Sequence, residues 1–334
     1  MRKRLLPILA FAAAAVLLAL PLLAARPMDD ALLFVPADSA SVGMIRLADL
    51  RTSPLSARLF SETDKLTVDG DAARFLEDAR LDAKNDVDVV VVAGSPKGTS
   101  ATGLVVFEGR FDPDRFAAAL TARGASRKGD YFLLPDHKRS GDKDDDAALA
   151  LVGHHFVVAG TEDAVQRALA QKSAGGASFA AGAGLGKELA RIDTGATAWA
   201  ILDTARFPEI KERATRVRIE GEVDGHAVPN VFGAMKSISL LSLQATVKGD
   251  SLSLVAAGVT ADTETRELLE DTIRGGLAAM RLAMQDNEDA VTLLRRFKVK
   301  SDRDAVTVTG TLPGAAVRAI MDKHHAPKVA RKGN

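Results

Sequence analysis

The sequence predicts an α+β fold in which two similar halves follow an N-terminal hydrophobic segment. Strand-like runs are joined partly by hairpins and partly by helices, which favours antiparallel sheets over a doubly wound parallel sheet. One kind of strand-to-helix junction recurs four times, which indicates an internal repeat with irregular spacing. We therefore expect a ferredoxin-like or split βαβ arrangement in each half, with helices on one face of an antiparallel sheet.

Composition excludes several classes of protein. The 334 residues include 44 basic and 44 acidic side chains and no cysteine. Without cysteine the chain has no disulfide, thiolate zinc site, cysteine nucleophile or lipid-modified cysteine. The aromatic residues are 13 Phe, one Tyr and one Trp, too few for base-stacking or sugar-stacking platforms. We expect no nucleic-acid partner.

The N-terminus predicts export from the cytoplasm. Arg2, Lys3 and Arg4 precede an apolar run over residues 5–25, which as a helix would be roughly 32 Å long. Pro21 and the small residues Ala24 and Ala25 favour a signal peptide cut after Ala25, whereas the length of the run favours a membrane anchor. Both alternatives stay open, and both place the rest of the chain in the cell envelope, periplasmic or extracytoplasmic.

The first half contains alternating strand and helix patterns. Residues 86–93 begin with alternation and become a β-branched run, which predicts a strand whose later part is buried on both faces. The other predicted elements are a strand at 41–47, helical spacing through 50–60 and 72–79, a turn at 94–98, a strand at 103–108 and a meander at 130–135, 147–152 and 155–159.

The four recurring junctions each run from a strand into glycine and then into a capping residue or proline. In the first, Asp112 is placed to cap a helix that opens at Pro113 and continues to about Ala122. The junctions span residues 109–113, 160–162, 258–262 and 310–313.

The second half has five predicted strands and the longest helix of the body. Gly249-Asp250 lies between two alternating runs, which predicts a hairpin. Apolar spacing predicts a helix over 263–284, with Gly275-Gly276 as a kink or a close-packing point. The strands are expected at 197–203, 238–248, 251–259, 297–301 and 305–309.

Gly/Ala-rich sequence at 173–186 predicts a boundary between two domains. The expected division is a signal peptide or anchor (1–25), a first α+β domain (31–172), a Gly/Ala-rich linker and helix (173–195), a second α+β domain (196–322) and a basic disordered tail (323–334).

No histidine pattern predicts a metal site. His154 and His155 are adjacent in a strand-like region, where neighbouring side chains point to opposite faces and cannot chelate one ion. The remaining histidines are His137, His226, His324 and His325. A catalytic triad assembled from distant positions stays possible, but no spacing nominates one.

Other polar motifs have a structural interpretation. Residues 182–188 resemble a phosphate-binding loop but have Ala181 in place of the first glycine and Glu188 in place of the Ser/Thr that binds magnesium. Residues 136–146 lack EF-hand spacing, which favours a solvated loop. Helix capping and ion pairing explain the charged cluster of Arg110, Asp112, Asp114 and Arg115. Trp199 is expected in the core. We predict no catalytic, cofactor or metal residues.

Two short motifs carry a resemblance to a known class. The opening of the body at 33–39 (Leu-Phe-Val-Pro-Ala-Asp-Ser) and the junction at 109–113 resemble uncharacterised bacterial exported or membrane-anchored envelope proteins of a domain-of-unknown-function type. The resemblance covers mainly the first half and implies an envelope location without any catalytic residue.

The hypothesis from sequence is a non-enzymatic bacterial envelope protein that binds a protein or an apolar ligand between its two halves. The membrane is a further partner through residues 5–25 if that segment is retained. The alternative is an envelope hydrolase with a dispersed active site.

Overall fold

The computed structural model describes residues 30–56, 70–97, 100–135, 146–174, 179–207 and 236–325. The N-terminal hydrophobic segment, the acidic loop at 136–145, the segment 208–235 with His226, and the end of the basic tail lie outside these residues.

Twelve strands form the core of the fold. They are β1 (Ser41–Arg46), β2 (Val87–Lys97), β3 (Ser100–Gly109), β4 (Ser126–Lys128), β5 (Tyr131–Leu133), β6 (Ala147–Val152), β7 (Phe156–Thr161), β8 (Ala198–Asp203), β9 (Ile238–Val247), β10 (Ser251–Thr260), β11 (Lys298–Asp302) and β12 (Ala305–Pro313).

Helices connect these strands and pack on them. They are α1 (Leu47–Leu50), α2 (Gly70–Asp78), α3 (Pro113–Ala122), α4 (Glu162–Ala174), α5 (Thr263–Ala283), α6 (Glu288–Leu294) and α7 (Gly314–His325), with 3₁₀ helices at Asp30–Phe34, Gly184–Arg191 and Thr204–Arg206. No helix in these ranges is long and apolar enough to cross a membrane.

All neighbouring strands pair antiparallel in one continuous sheet of order β11-β12-β10-β9-β8-β1-β2-β3-β7-β6-β5-β4. The two halves meet where β1 pairs with β8, with Met44 opposite Trp199. The fold is therefore α+β, as predicted. The division into two domains stays a prediction, because both halves contribute strands to the same sheet.

The two halves repeat one strand order. In the first half β1, β2 and β3 are followed by α3, the hairpin β6–β7 and α4; in the second half β8, β9 and β10 are followed by α5, α6, the hairpin β11–β12 and α7. In the first half β7 lies between β3 and β6, and in the second half β12 lies between β10 and β11. Each arrangement is a split βαβ unit. The strand on the other side of β3 is β2, which precedes it along the chain, so the ferredoxin-like order is not completed.

The four predicted junctions are the points where β3, β7, β10 and β12 lead into helices. Asp112 caps α3 and Asp262 caps α5, each through its carboxylate. The glycines are required by close approach: a Cβ on Gly109 would lie 2.0 Å from the Asp86 carbonyl oxygen, and one on Gly160 would lie 2.3 Å from that of Gly103.

Both faces of the first-half sheet are covered. Met44, Val91 and Val106 pack beneath α4 and the 3₁₀ helices Asp30–Phe34 and Gly184–Arg191; we call this side the α4 face. Val90 and Val105 lie on the opposite side, the α3 face, which is covered by α1, α2 and α3. The expectation that helices occupy one face is thus wrong for the first half, because the segments flanking β1 and β8 supply a second layer.

In the second half, β10, β11 and β12 are covered on the α3 face alone within the described chain, whereas Trp199 and Ile201 of β8 also lie in the α4-face core. The core clusters on the α3 face join Leu252 and Leu312 with Leu293 and Phe297, and Ile238 and Val306 with Leu269 of α5. The strand register places these side chains on the same side of the sheet as Ala198 of β8, which belongs to the buried cluster on the α3 face. Here the predicted one-sided arrangement is confirmed.

Two local predictions differ from the structure. Residues 94–97, predicted as a turn, continue β2 up to Lys97, since Gly94, Ser95 and Pro96 pair with β3. The Gly/Ala-rich segment is packed where it is described: Phe179 is fully buried, and the residues after Ala183 form a 3₁₀ helix. Burial of Phe179 therefore holds part of this segment against the core, although its Gly/Ala-rich composition is typical of linkers.

Candidate functional site

His154 and His155 lie at the β6–β7 turn and form no catalytic pair with each other. His155 Nδ1 lies 3.3 Å from the backbone oxygen of Gly109. Neither His154 nor His155 has a hydrogen bond to a serine or aspartate within the described ranges. No group of three or more metal-ligating side chains that could hold an ion is found in these ranges either.

The charged residues around the first junction are mutually satisfied. Arg51 donates from Nη1 to Asp88 Oδ1 at 2.7 Å, and Arg110 approaches the other oxygen of Asp88 at 3.3 Å. Asp112 accepts from the backbone N–H groups of Asp114 and Arg115. The bond from the Arg115 N–H holds the pKa of the Asp112 carboxyl below its ordinary value. These contacts support the capping and ion-pairing interpretation.

The loop that resembles a phosphate site is occupied by protein contacts. A Cβ on Gly184 would lie 1.9 Å from the Ala37 carbonyl oxygen, and one on Gly186 would lie 2.0 Å from that of Phe179. Glu188 pairs with Arg191 at 2.5 Å. The glycines therefore serve close packing, and the loop does not form an open cradle for phosphate.

A polar cluster joins the β4–β5 hairpin to α4. Lys128 Nζ donates to Glu162 Oε1 at 2.7 Å, and the Tyr131 hydroxyl binds the same oxygen. The ion pair lowers the pKa of Glu162 and raises that of Lys128, so both stay charged at neutral pH. Gln166 donates to the Tyr131 hydroxyl at 2.6 Å, which completes a structural connection.

Trp199 is a core residue, 3% exposed and stacked on Phe179 with ring centroids 6.3 Å apart. A cavity of about 10 Å³ lies between the start of α4 and β2, beside Ser39, Ser95 and Arg167. That volume holds about one water molecule and no larger ligand.

Among the described strands, the most exposed large apolar side chain lies at the middle of the sheet, on the α3 face. One row crosses four strands through Gly43, Ala200, Leu243 and Ala256. The glycine and the two alanines are small, and Leu243 is 45% exposed. We call the α3 face of β8 and β9 around Ala200 and Leu243 the central strip.

Helices border the central strip on both sides. The α1–α3 layer packs over Ile45 and Val90 on one side, and α5 contacts β10, β11 and β12 on the other. Leu55, which follows α1, closes one end by packing on Ala245 and Val247. The result is an apolar trough between the two halves.

Sequence reasoning predicted a binding surface between the halves but did not single out Leu243. Its strand has leucine at both 241 and 243 on the α3 face, a pattern that predicts burial. The large apolar side chains that are exposed in the described residues all lie in the second half; they are Leu243, Leu268, Leu282, Met284 and Ile320.

No family model and no curated protein sequence matches this chain. Among solved structures it is similar to TP0453: crystal form III gives a TM-score of 0.49 at 8% identity, covering 88% of this chain and 98% of that one. Crystal form I gives 0.45 at 8% identity, covering 89% and 99%. A likeness at this level carries no argument about function.

Proposed function

We propose that this protein is a non-enzymatic component of the bacterial cell envelope that binds an apolar segment of a partner protein, or an apolar ligand, in the central strip. The observation that carries the proposal is the 45% exposure of Leu243 among small side chains at the middle of the sheet. An exposed leucine in a trough is a typical feature of a binding site, whereas scattered surface leucines are ordinary.

The width of the trough favours a helical segment as the occupant. The central strip consists of two strands, which are together about 10 Å wide. An α-helix with its side chains is about 10–12 Å in diameter. A bound amphipathic helix would lie between α1 and α5 and complete the helical layer of the α3 face. Its apolar side chains would cover Leu243 and contact Ala200.

The envelope location rests on the basic and apolar N-terminal residues 2–25. Removing residues 1–25 takes away Arg2, Lys3 and Arg4 and leaves a slightly acidic body, which argues against a nucleic-acid partner. If the segment is retained, the protein is anchored in the inner membrane. No cofactor is needed for this role.

The hydrolase alternative has no observation in its favour among the described residues. A dispersed active site needs a base within hydrogen-bond reach of a nucleophile. His155 instead contacts a backbone oxygen.

Binding of the uncharged apolar dye Nile red tests the trough. We expect dye fluorescence to rise with the wild-type protein and the apparent affinity to fall at least about tenfold in Leu243→Asp, since a carboxylate in an apolar site is strongly unfavourable. Leu268→Asp is the matched control, because Leu268 is 68% exposed on the outside of α5. Thermal denaturation should first show that both proteins are folded. Equal dye binding by the wild type and Leu243→Asp would then refute a site at Leu243.

Photo-crosslinking in cells tests whether the occupant is a protein. A benzoylphenylalanine at position 243 should give one discrete adduct at native expression, and the same group at position 268 should not. Dye binding without an adduct at 243 would assign the trough to a small apolar ligand.

A further inference from the structure

The second half has an open sheet face on the side opposite the central strip. None of the buried clusters in the described residues includes a side chain from the α4 face of β10, β11 or β12. We call this surface the open face. Its side chains are Ser253, Val255, Ala257 and Val259 of β10, Ala305, Thr307, Thr309 and Thr311 of β12, and Lys298, Lys300 and Asp302 of β11, of which the three on β11 together carry a net charge of +1.

The centre of the open face is apolar. A solvated face of an antiparallel sheet is usually polar, with the apolar side chains turned to the core. On β10, however, Val255, Ala257 and Val259 all point to the open side, with Thr309 and Thr307 of β12 opposite Val255 and Ala257. This composition is suited to contact with another protein surface.

The borders of the open face carry opposite charges. Lys298 and Lys300 are exposed, and neither has an ion-pair partner in the described part of the chain. On the other border Asp193 is exposed; its backbone N–H donates to Gln244 Oε1 at 2.6 Å and its carboxylate accepts only from the Gly195 N–H. Asp193 likewise has no cation partner among these residues.

One straight row joins the two borders. Register places Gln244 opposite Val255, Val255 opposite Thr309, and Thr309 opposite Lys298. Asp193, bonded to Gln244, forms the acidic end of the row, and Lys298 forms the basic end. Between Gln244 and Lys298 there are three strand spacings, about 14 Å.

We propose that the open face binds a second copy of this chain, face to face, about a two-fold axis that runs parallel to the strands between β10 and β12. Rotation about this axis exchanges the borders, so Lys298 of each copy lies over Asp193 of the other. A two-fold axis perpendicular to the strands would set lysine against lysine. Charge complementarity therefore selects one arrangement, in which the same patch is used on both copies.

The area of the open face is consistent with a reversible dimer. Together with β9, whose Gln244 borders it, the open face spans four strands, three of nine or ten residues and β11 of five, which gives a footprint of roughly 550–600 Å² on each copy. Two such surfaces bury about 1,100–1,200 Å², at the lower limit for specific interfaces. The site is on the opposite side of the sheet from the central strip, so the dimer does not depend on the proposed function.

Sedimentation velocity of the exported chain, in mild detergent if residues 1–25 are retained, tests the dimer and its charges. We expect a concentration-dependent dimer, weakened about tenfold in Kd by Lys298→Glu and by Asp193→Lys. The double variant should recover to within about threefold of wild type, because the pair is restored with reversed sign. Glu264→Lys on the outside of α5 is the matched control and should leave Kd unchanged. A monomer at all concentrations up to about 100 μM, or a double variant no stronger than the singles, would overturn the proposal.

Crosslinking gives an independent readout, because the chain has no native cysteine. Val255→Cys lies beside the proposed axis and should form a dimer with a short bismaleimide, whereas Leu268→Cys should not. Equal crosslinking of both variants would show random collision and overturn the assigned interface.

Discussion

The two halves of the chain share one strand order but differ in how their sheets are covered. In the first half, helical layers bury both faces, and Val90 and Val91 are almost inaccessible from either side. In the second half the described helices cover β10, β11 and β12 on the α3 face alone, and the exposed large apolar side chains are concentrated in this half. The same topology therefore supports a rigid two-sided core and a one-sided unit with surfaces available for binding.

The difference has two sources: α4 packs on the α4 face whereas its counterpart α7 packs on the α3 face, and segments outside the repeat add to the first layer. The segment before β1 and the segment between α4 and β8 both pack on the α4 face of the first half, through Phe34 and Phe179. Arg191, in the 3₁₀ helix at the end of this layer, makes a two-pronged ion pair with Asp304 of the β11–β12 turn. The layer therefore covers β8 and part of β9, and it reaches the far strands of the second half only through this ion pair.

The largest expected effect comes from removing an anchor of the extra layer. Phe34→Ala should lower the free energy of unfolding by about 3–5 kcal/mol, because the ring is fully buried and packs against Phe156 with centroids 5.1 Å apart. Leu268→Ala, on the exposed side of α5, should cost less than about 0.5 kcal/mol. Urea denaturation of both variants measures the contrast, and a similar small loss in each would mean that the layer is not part of the core.

A matched pair of conservative changes sharpens the comparison between the faces. Val91→Thr should cost about 1–3 kcal/mol, since it buries a hydroxyl in a fully inaccessible site. Val255→Thr makes the same change on the open face and should cost less than about 0.5 kcal/mol. Both residues are β-branched before and after, so strand preference is unchanged. Equal losses in denaturation at low protein concentration would contradict the open face.

The capping residues of α3 and α5 should contribute similarly to stability in the two halves. Asp112 and Asp262 each accept a backbone N–H bond three residues later, from Arg115 and Thr265, and these bonds lower both carboxyl pKa values. A folded-state pKa below the unfolded value gives stability that is present above pH of about 4 and is lost as the pH falls through the folded pKa. Asp112→Ala and Asp262→Ala should each lower the melting temperature at pH 7, and each should reduce the further loss on acidification.

Thermal melts between pH 7 and pH 3 measure this effect, with Glu264→Ala as a control for removal of an exposed carboxylate. An unchanged acid dependence in both cap variants would show that the caps do not carry the pKa shift.

Much of the local structure was predictable because its causes are local. The Val run of β2 indicated burial on two faces, the Gly249-Asp250 turn indicated the β9–β10 hairpin, and helical spacing indicated α5 to within one residue. The prediction of a turn at 94–98 was wrong for residues 94–97, because pairing with β3 outweighs the turn preference of Gly94 and Pro96.

The central strip and the open face were less predictable, because each is defined by the lack of a described segment packed over it. Leu243 has the same local pattern as Leu241, and no periodicity distinguishes a leucine under a helix from one in a gap between helices. Similarly, Lys298 and Asp193 are 105 positions apart in the sequence, and only the register of β9, β10, β12 and β11 places them at the ends of one row.

The α+β class, the recurring strand-to-helix junctions, the caps and the hairpins follow from sequence alone, since each depends on a few neighbouring residues with definite backbone and hydrogen-bond preferences. Long-range packing sets the rest: the two halves share one sheet, Phe34 and Phe179 cover one face of the first half, and the described residues leave the central strip and the open face uncovered. These features depend on contacts between segments far apart in the chain. Which apolar surfaces become buried depends on all of these contacts together and cannot be predicted from the local sequence pattern.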